Sequence, residues 1–110
     1  MPRRAPIAKP ARFHSETRDR ERQRRAGGLR RLYDSAHWRE RTRPAVLARD
    51  PMCKIAVLCE GNAPSTDVDH VIPAAKYIAQ HNGDYRFFFD LSNLQGACHA
   101  DHTAKTARGG

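Results

Sequence analysis

The stretch Thr66-Asp67-Val68-Asp69-His70-Val71-Ile72-Pro73 decides how the rest of the chain is read. It carries the period-two texture of a β-strand from Thr66 to Ile72. Pro73 has no N–H to offer a ladder and stops the strand. Neighbours on a strand point to opposite faces. Asp69 and His70 can therefore serve one site only where the strand ends and the backbone turns. Side by side they divide labour in a way that suits hydrolysis: the carboxylate is a hard oxygen ligand for a divalent cation, and the imidazole titrates near neutrality and can take a proton from water.

Toward the C-terminus, Ala74 to His81 reads as a short helix ended by Asn82-Gly83, and Arg86-Phe87-Phe88-Phe89 as a core-packing run. Leu94 to Ala97 fits a second short strand. A helix follows from Cys98 or His99 to Arg108, closed by Gly109-Gly110. On that helix His99, His102 and Lys105 fall at i, i+3 and i+6 and form one stripe. The free N–H groups of a helix N-terminus attract phosphate, so a histidine one turn in and a lysine one turn further make a phosphate cradle. Each residue alone is an ordinary polar residue. Their order along strand, long loop, strand and helix is what carries meaning.

Toward the N-terminus the texture changes twice. Between Leu29 and Asp50, scattered apolar residues including Leu32, Tyr33, Trp38, Val46 and Leu47 gather on helical faces. Ser35 is an N-cap candidate, Pro44 breaks or restarts the helix, and Tyr33 and Trp38 are expected to pack. Residues 1–28 hold Pro2, Pro6 and Pro10, a charged run from Thr17 to Arg25, and Gly27-Gly28. They are expected to be a flexible basic arm, leaving 29–110 as the folded domain with its chemistry in about 50–108.

Charge separates the same two parts. Residues 1–44 hold 14 Lys/Arg, 13 of them arginine, against 5 Asp/Glu, while residues 45–110 hold 6 against 7. A basic arm on a near-neutral domain is an anchor for a polyanion, and arginine pairs with phosphate through two hydrogen bonds at once. Three cysteines are too few, and odd in number, for a disulfide framework. No apolar run has the length of a membrane span or the form of a secretory leader. Glu16, Asp19 and Glu21 argue against a mitochondrial presequence. A reducing intracellular compartment is expected, with no membrane partner. Nothing resembles the stacked-aromatic platform of an RNA binder.

Taken together, Tyr33-Asp-Ser-Ala-His-Trp38-Arg, Val46-Leu47-Ala-Arg-Asp50-Pro51-Met-Cys53, Val68-Asp69-His70-Val-Ile-Pro73, Phe89-Asp90-Leu91-Ser92-Asn93-Leu94-Gln95 and Cys98-His-Ala-Asp101-His102-Thr-Ala-Lys105-Thr106 resemble the HNH nucleases of the ββα-metal (His-Me finger) superfamily, small phage and prophage members above all. The resemblance spans about residues 33–106. It implies a small α+β fold: a two-stranded antiparallel hairpin plus a helix, preceded by another helix and the arm. It implies a metal-dependent endonuclease acting on DNA, nicking it or cutting both strands, in phage or prophage DNA processing or packaging. His70 would be the general base. Asp69 and His102 would hold a divalent ion, Mg²⁺ or Mn²⁺, with Zn²⁺ or Ni²⁺ as alternatives. Asn93 would orient the loop bearing the base, and Lys105 would contact the phosphate. A monomer or weak dimer in a bacterial or phage-infected cytoplasm, with packaging proteins as further partners, completes what the family suggests. The competing expectation is a DNA-binding module on the same scaffold that no longer cuts.

Many relatives also carry two CxxC pairs around a structural zinc, and here the pattern departs. Ala56 stands where a partner for Cys53 would be, Cys59 follows at a longer spacing, and Asp101 replaces the cysteine expected after Cys98. Cys53, Cys59, Cys98 and Asp101, or His99 in its stead, are acceptable zinc ligands. The alternative is that zinc is lost, the cysteines are small buried apolar residues, and Ile72, Phe87, Phe88, Phe89 and Leu94 hold the elements together. His14, His37 and His81 are expected to face solvent or pack.

Overall fold

The computed structural model describes residues 28–109, so the expectations for the arm lie outside the described residues apart from Gly28. The chain up to Tyr33 forms one unit and the chain from Asp34 onward another. In the first, residues 28–33 are helical, and Tyr33, expected to pack, is exposed.

The second unit opens with a helical segment. Ser35 caps it, its Oγ accepting the Trp38 N–H at 3.2 Å. A π-helical turn, His37–Thr42, runs into α1, Arg43–Arg49, with Pro44 in its first turn. Pro44 restarts the helix without breaking the chain's path. The Arg43 N–H reaches back to the Trp38 carbonyl, and this wider turn accommodates a proline ring that would crowd the carbonyl four residues earlier.

Strands β1, Asp67–His70, and β2, Leu94–Ala97, are antiparallel, with Asp67 opposite Ala97, Val68 opposite Gly96, Asp69 opposite Gln95 and His70 opposite Leu94. β1 is shorter than its sequence texture and ends at His70. Between the strands lie α2, Ala74–Gln80, and two 3₁₀ turns, Tyr85–Phe89 and Leu91–Asn93. Asn82 and Gly83 end α2 with φ of 60° and 78°, a left-handed conformation that these two residue types tolerate. Each 3₁₀ turn starts at an aspartate: Asp84 accepts the Arg86 N–H and Asp90 the Ser92 N–H. The final helix α3, His99–Ala107, begins straight after β2.

The two faces of the sheet serve different partners. α1 packs on both strands, and α3 packs on β1. Trp38, Val46, Val68, Ile78, Phe88 and Leu94 are the larger buried apolar residues, a small core for a domain of this length. Ile72, Phe87 and Phe89 are half-buried, so of the apolar contacts expected between strands and helix only Phe88 and Leu94 are sealed. Arginines tie the elements at their edges. Arg43 donates to the Thr66 carbonyl at 2.8 Å. Arg49 donates to the Leu91 and Leu94 carbonyls and pairs with Asp50 at 2.8 Å.

Gly96 sits where α1 ends against β2. Its N–H donates to Asp50 Oδ2 at 3.0 Å, and a methyl group there would meet Ser65 Oγ at 2.6 Å and the Asp50 carbonyl at 2.7 Å. Gly96→Ala should therefore destabilise the domain by about 1–3 kcal/mol through overpacking, read as a lower urea midpoint; an unchanged midpoint would mean that α1 is not seated this tightly on the sheet.

Candidate metal and nuclease site

Alternation along β1 sends Asp67 and Asp69 toward α3. Asp69 is only 5% exposed, and a buried carboxylate needs compensating partners. Lys105 Nζ lies 3.1 Å from its Oδ2, and the cross-strand neighbour Gln95 donates to the same oxygen at 2.9 Å. Lys105 also donates to the His70 and Val71 carbonyls, at 2.9 and 3.3 Å, so one ammonium closes the end of β1 against α3. His102 Nε2 stands 3.6 Å from Asp69 Oδ1, longer than a hydrogen bond but short enough for both atoms to bind one cation at about 2.1 Å each. The donor pair, one carboxylate oxygen and one imidazole nitrogen, suits Mg²⁺, Mn²⁺ or Zn²⁺.

Asp67 Oδ2 accepts from two imidazoles, His102 Nδ1 at 3.0 Å and His99 Nδ1 at 3.1 Å. Burial opposes ionisation of Asp67, but the hydrogen bonds from His102, His99 and Thr66 outweigh it and hold the carboxyl below its usual range.

His70 points the other way. Its ring is buried, stacked on Trp38 with centroids 5.6 Å apart and an 11° interplanar angle, and tilted against Phe88 at 4.6 Å. Nε2 lies 3.0 Å from the Phe88 carbonyl. A carbonyl only accepts, so Nε2 carries the proton and Nδ1 of the neutral ring carries the lone pair. Burial pushes the His70 pKa down, against the Phe88 bond and the Asp69 charge, and the charges of Lys105 and His102 also act to lower it. Burial of the ring thus favours its neutral form.

Asn93, the last residue before β2, clamps the segment that follows His70. Its Oδ1 accepts the Ile72 N–H at 2.9 Å, its Nδ2 donates to the Ile72 carbonyl at 3.0 Å, and its own carbonyl accepts the Val71 N–H at 2.8 Å.

A second cluster lies at the N-terminal end of α3. One donor atom each from Cys53, Cys59, Cys98 and Asp101 lies within 4.8 Å of all the others; His99 stands outside it, on Asp67. Asp101 is 1% exposed and accepts the Leu58 N–H at 2.7 Å and the Cys59 N–H at 3.3 Å. The Leu58 amide leads, against burial, in holding its carboxyl well below the usual range. The Ala56 N–H points to Cys53 Sγ at 3.4 Å, and the Asp101 N–H to Cys98 Sγ at 3.5 Å. The Asp101 amide favours a Cys98 thiolate, yet burial and the hydrogen bonds to Asp101, Cys53 and Cys59 push that thiol up to about 11. The unusual spacing has a local cause. Ala56 takes φ of 56° and makes the tight turn at which a CxxC pair would place its second cysteine. The chain then loops on, and Cys59 delivers the sulfur. Three sulfurs and one carboxylate are a chemically sound zinc set.

Three contacts went unforeseen from the residues alone: Asp67 behind His102, Trp38 under His70, and the Phe88 carbonyl on its ring. The first had a signal, since residues two apart on a strand share a face. The others join segments far apart in the chain.

A two-stranded antiparallel sheet whose first strand ends in a buried histidine, backed by a helix that offers a second histidine to the neighbouring aspartate, is a ββα-metal nuclease fold. No family model and no curated protein matches the chain. Among solved structures, it is similar to the HNH endonuclease of the deep-sea thermophilic bacteriophage GVE2, crystallised with manganese ion, at 32% identity and a TM-score of 0.60 over 82% of this chain and 90% of that one. This chain belongs to the HNH endonuclease family.

Asn93→Ala removes both bonds to Ile72. A buried hydrogen-bond partner lost costs about 1–3 kcal/mol, so the domain should melt earlier and the Ile72 amide should exchange faster with solvent. Unaltered exchange at Ile72 would show that Asn93 does not hold this segment.

Proposed function

We propose that the chain is a metal-dependent DNA endonuclease that hydrolyses phosphodiester bonds to leave a 5′-phosphate and a 3′-hydroxyl. The observation that carries this reading is the approach of His102 Nε2 to Asp69 Oδ1, 3.6 Å apart, beside a buried neutral histidine with its Nε2 proton committed to a carbonyl. Asp69 and His102 would hold the divalent ion. When bound, it neutralises charge building on the scissile phosphate and the leaving oxygen. His70 Nδ1 takes the proton of the attacking water as the new P–O bond forms and the bond to the 3′ oxygen breaks, and the departing 3′ oxygen takes a proton from solvent water to become the hydroxyl. Asn93, through Val71 and Ile72, keeps the chain after the base in place. Lys105, 3.1 Å from Asp69 Oδ2, would supply positive charge to the phosphate. The arginines of residues 1–44 contribute affinity for the DNA backbone without selecting sequence. The manganese and the phage origin of the GVE2 enzyme support a divalent ion of this class and work on phage or prophage DNA. Cys53, Cys59, Cys98 and Asp101 would hold a structural zinc.

The test is cleavage of supercoiled plasmid with Mg²⁺ or Mn²⁺ and with chelator. Cutting should require the ion and fall about 10²–10⁴-fold in His70→Ala, the range of a general base. DNA binding without cutting under every ion would leave a binding module in its place. The pH dependence has a definite sign: the base works deprotonated and its pKa is lowered, so the rising limb of the rate should have its midpoint below about 6.5, the ordinary histidine value. A midpoint above that value would mean another group takes the proton.

The zinc proposal is read by metal analysis. The purified protein should contain one zinc per chain, and Cys59→Ser should lose it and melt earlier, since structural zinc contributes folding free energy directly. Absence of zinc with unchanged melting would leave the cysteines as packing residues.

A further inference from the structure

The pair Asp67 and His102 bears on the metal site in a way that neither the hairpin nor the helix requires for its folding. We infer that Asp67 is a positioning residue: its carboxylate fixes the His102 ring as the tautomer with the proton on Nδ1, so that the Nε2 lone pair faces Asp69. This rests on the reading of Asp69 and His102 as ligands of one cation.

The argument is one of donors and acceptors. Asp67 Oδ2 lies 3.0 Å from His102 Nδ1. An ionised carboxylate only accepts, so this bond is made only when Nδ1 carries hydrogen. In the neutral ring the lone pair is then on Nε2, and Nε2 is the atom that stands 3.6 Å from Asp69 Oδ1. Two electron-rich atoms turned toward each other, beyond hydrogen-bond range, are arranged for a cation between them. With the opposite tautomer, Nε2–H would point at Asp69, and the ring could offer no lone pair to an ion there. Carboxylates commonly play this supporting part behind metal-binding histidines, raising the basicity of the ring as well as setting its proton.

Asp67 is held in turn from several sides. His99 Nδ1 donates to the same oxygen at 3.1 Å, and Thr66 Oγ1 donates to Oδ1 at 3.1 Å. Its place opposite Ala97 in the sheet sets it beside the first turn of α3, where the helix dipole favours a negative charge. The neighbouring Asp69 is engaged by Lys105 and Gln95, and the two carboxylates on this face meet at His102 and otherwise have different partners.

Asp67→Asn separates tautomer control from bulk, because an amide of the same shape can either accept from Nδ1–H or donate to a bare Nδ1. Two measurements on the full-length protein test the inference. Long-range ¹H–¹⁵N spectra of the metal-free protein should show the His102 ring with its proton on Nδ1, and a mixture of tautomers in Asp67→Asn. Calorimetric titration with Mn²⁺, which prefers oxygen and nitrogen over the thiolate cluster, should show affinity reduced about 10–100-fold in Asp67→Asn, the usual effect of losing such a partner, with Asp67→Glu recovering most of it. An unchanged tautomer, or Mn²⁺ affinity equal to the parent, overturns the inference while the metal site stands, provided Asp69→Asn and His102→Ala both lose binding. If those two variants bind Mn²⁺ as the parent does, the metal reading and this inference fall together.

Discussion

The buried charge of Asp69 is the constraint around which the site is arranged. Removing a carboxylate from water costs several kcal/mol unless opposite charge and hydrogen bonds compensate it. Here the compensation comes from α3, through Lys105, and from β2, through Gln95. Satisfying one side chain therefore sets the distance of the last helix from the sheet. Because Asp69 and His70 are neighbours on a strand, the same pleat that turns the carboxylate to α3 turns the imidazole to Trp38 and Phe88. Asp69 and His70 are delivered to two sides of one short strand, at the point where it ends.

A second carboxylate pins the same helix from another direction. Asp101 is sealed among Cys53, Cys59 and Cys98 and takes two amides from the loop at residues 58–59. His102 follows it in the chain, about 100° further round the helix. The orientation of α3 that buries Asp101 in the cysteine cluster is thus the one that turns His102 to the sheet. The cluster and the Asp69 site share a rigid element, and the helix cannot roll to relax one without disturbing the other. This helps explain how so small an apolar core suffices: polar groups with directional bonds hold the helix where a larger domain would use packed side chains.

Much of this was legible in the chain, for identifiable reasons. The two strands, the closing helix and the Asn82-Gly83 stop rest on local signals, alternation and left-handed turn residues, and they stand within a few residues of expectation. The proximity of Asp69 to His102 was what the resemblance to the HNH nucleases implied. What stayed hidden is what depends on partners remote in sequence. Trp38 was legible as a packing residue, yet nothing local names His70 as the ring it stacks on. The Phe88 carbonyl is invisible to any reading of side chains. The cysteine spacing looked unsuitable because a left-handed alanine at position 56 is not something sequence announces; with that turn made, a C-x5-C spacing reaches the cluster as a shorter one would.

The placement of His70 also carries a cost for the fold. Burial keeps the ring neutral by lowering its pKa in the folded chain, which suits a base. In the unfolded chain the same ring titrates at its ordinary value. Above about pH 6.5 the ring is neutral in both states and its contribution to stability is fully present. As pH falls below that value the unfolded chain binds a proton that the folded one refuses, and stability is lost until the folded pKa is reached. Asp67 and Asp101, whose folded pKa values are depressed, lose their contributions further down, as pH falls from the ordinary carboxylate range toward those lower values. On the acid side of the stability curve His70 therefore acts first, and below it Asp67 and Asp101 act together with Asp50, Asp84 and Asp90, whose carboxyls are also held below their usual range. Returning the ring to water would remove this acid sensitivity, and with it the burial that favours the neutral form the proposed chemistry needs.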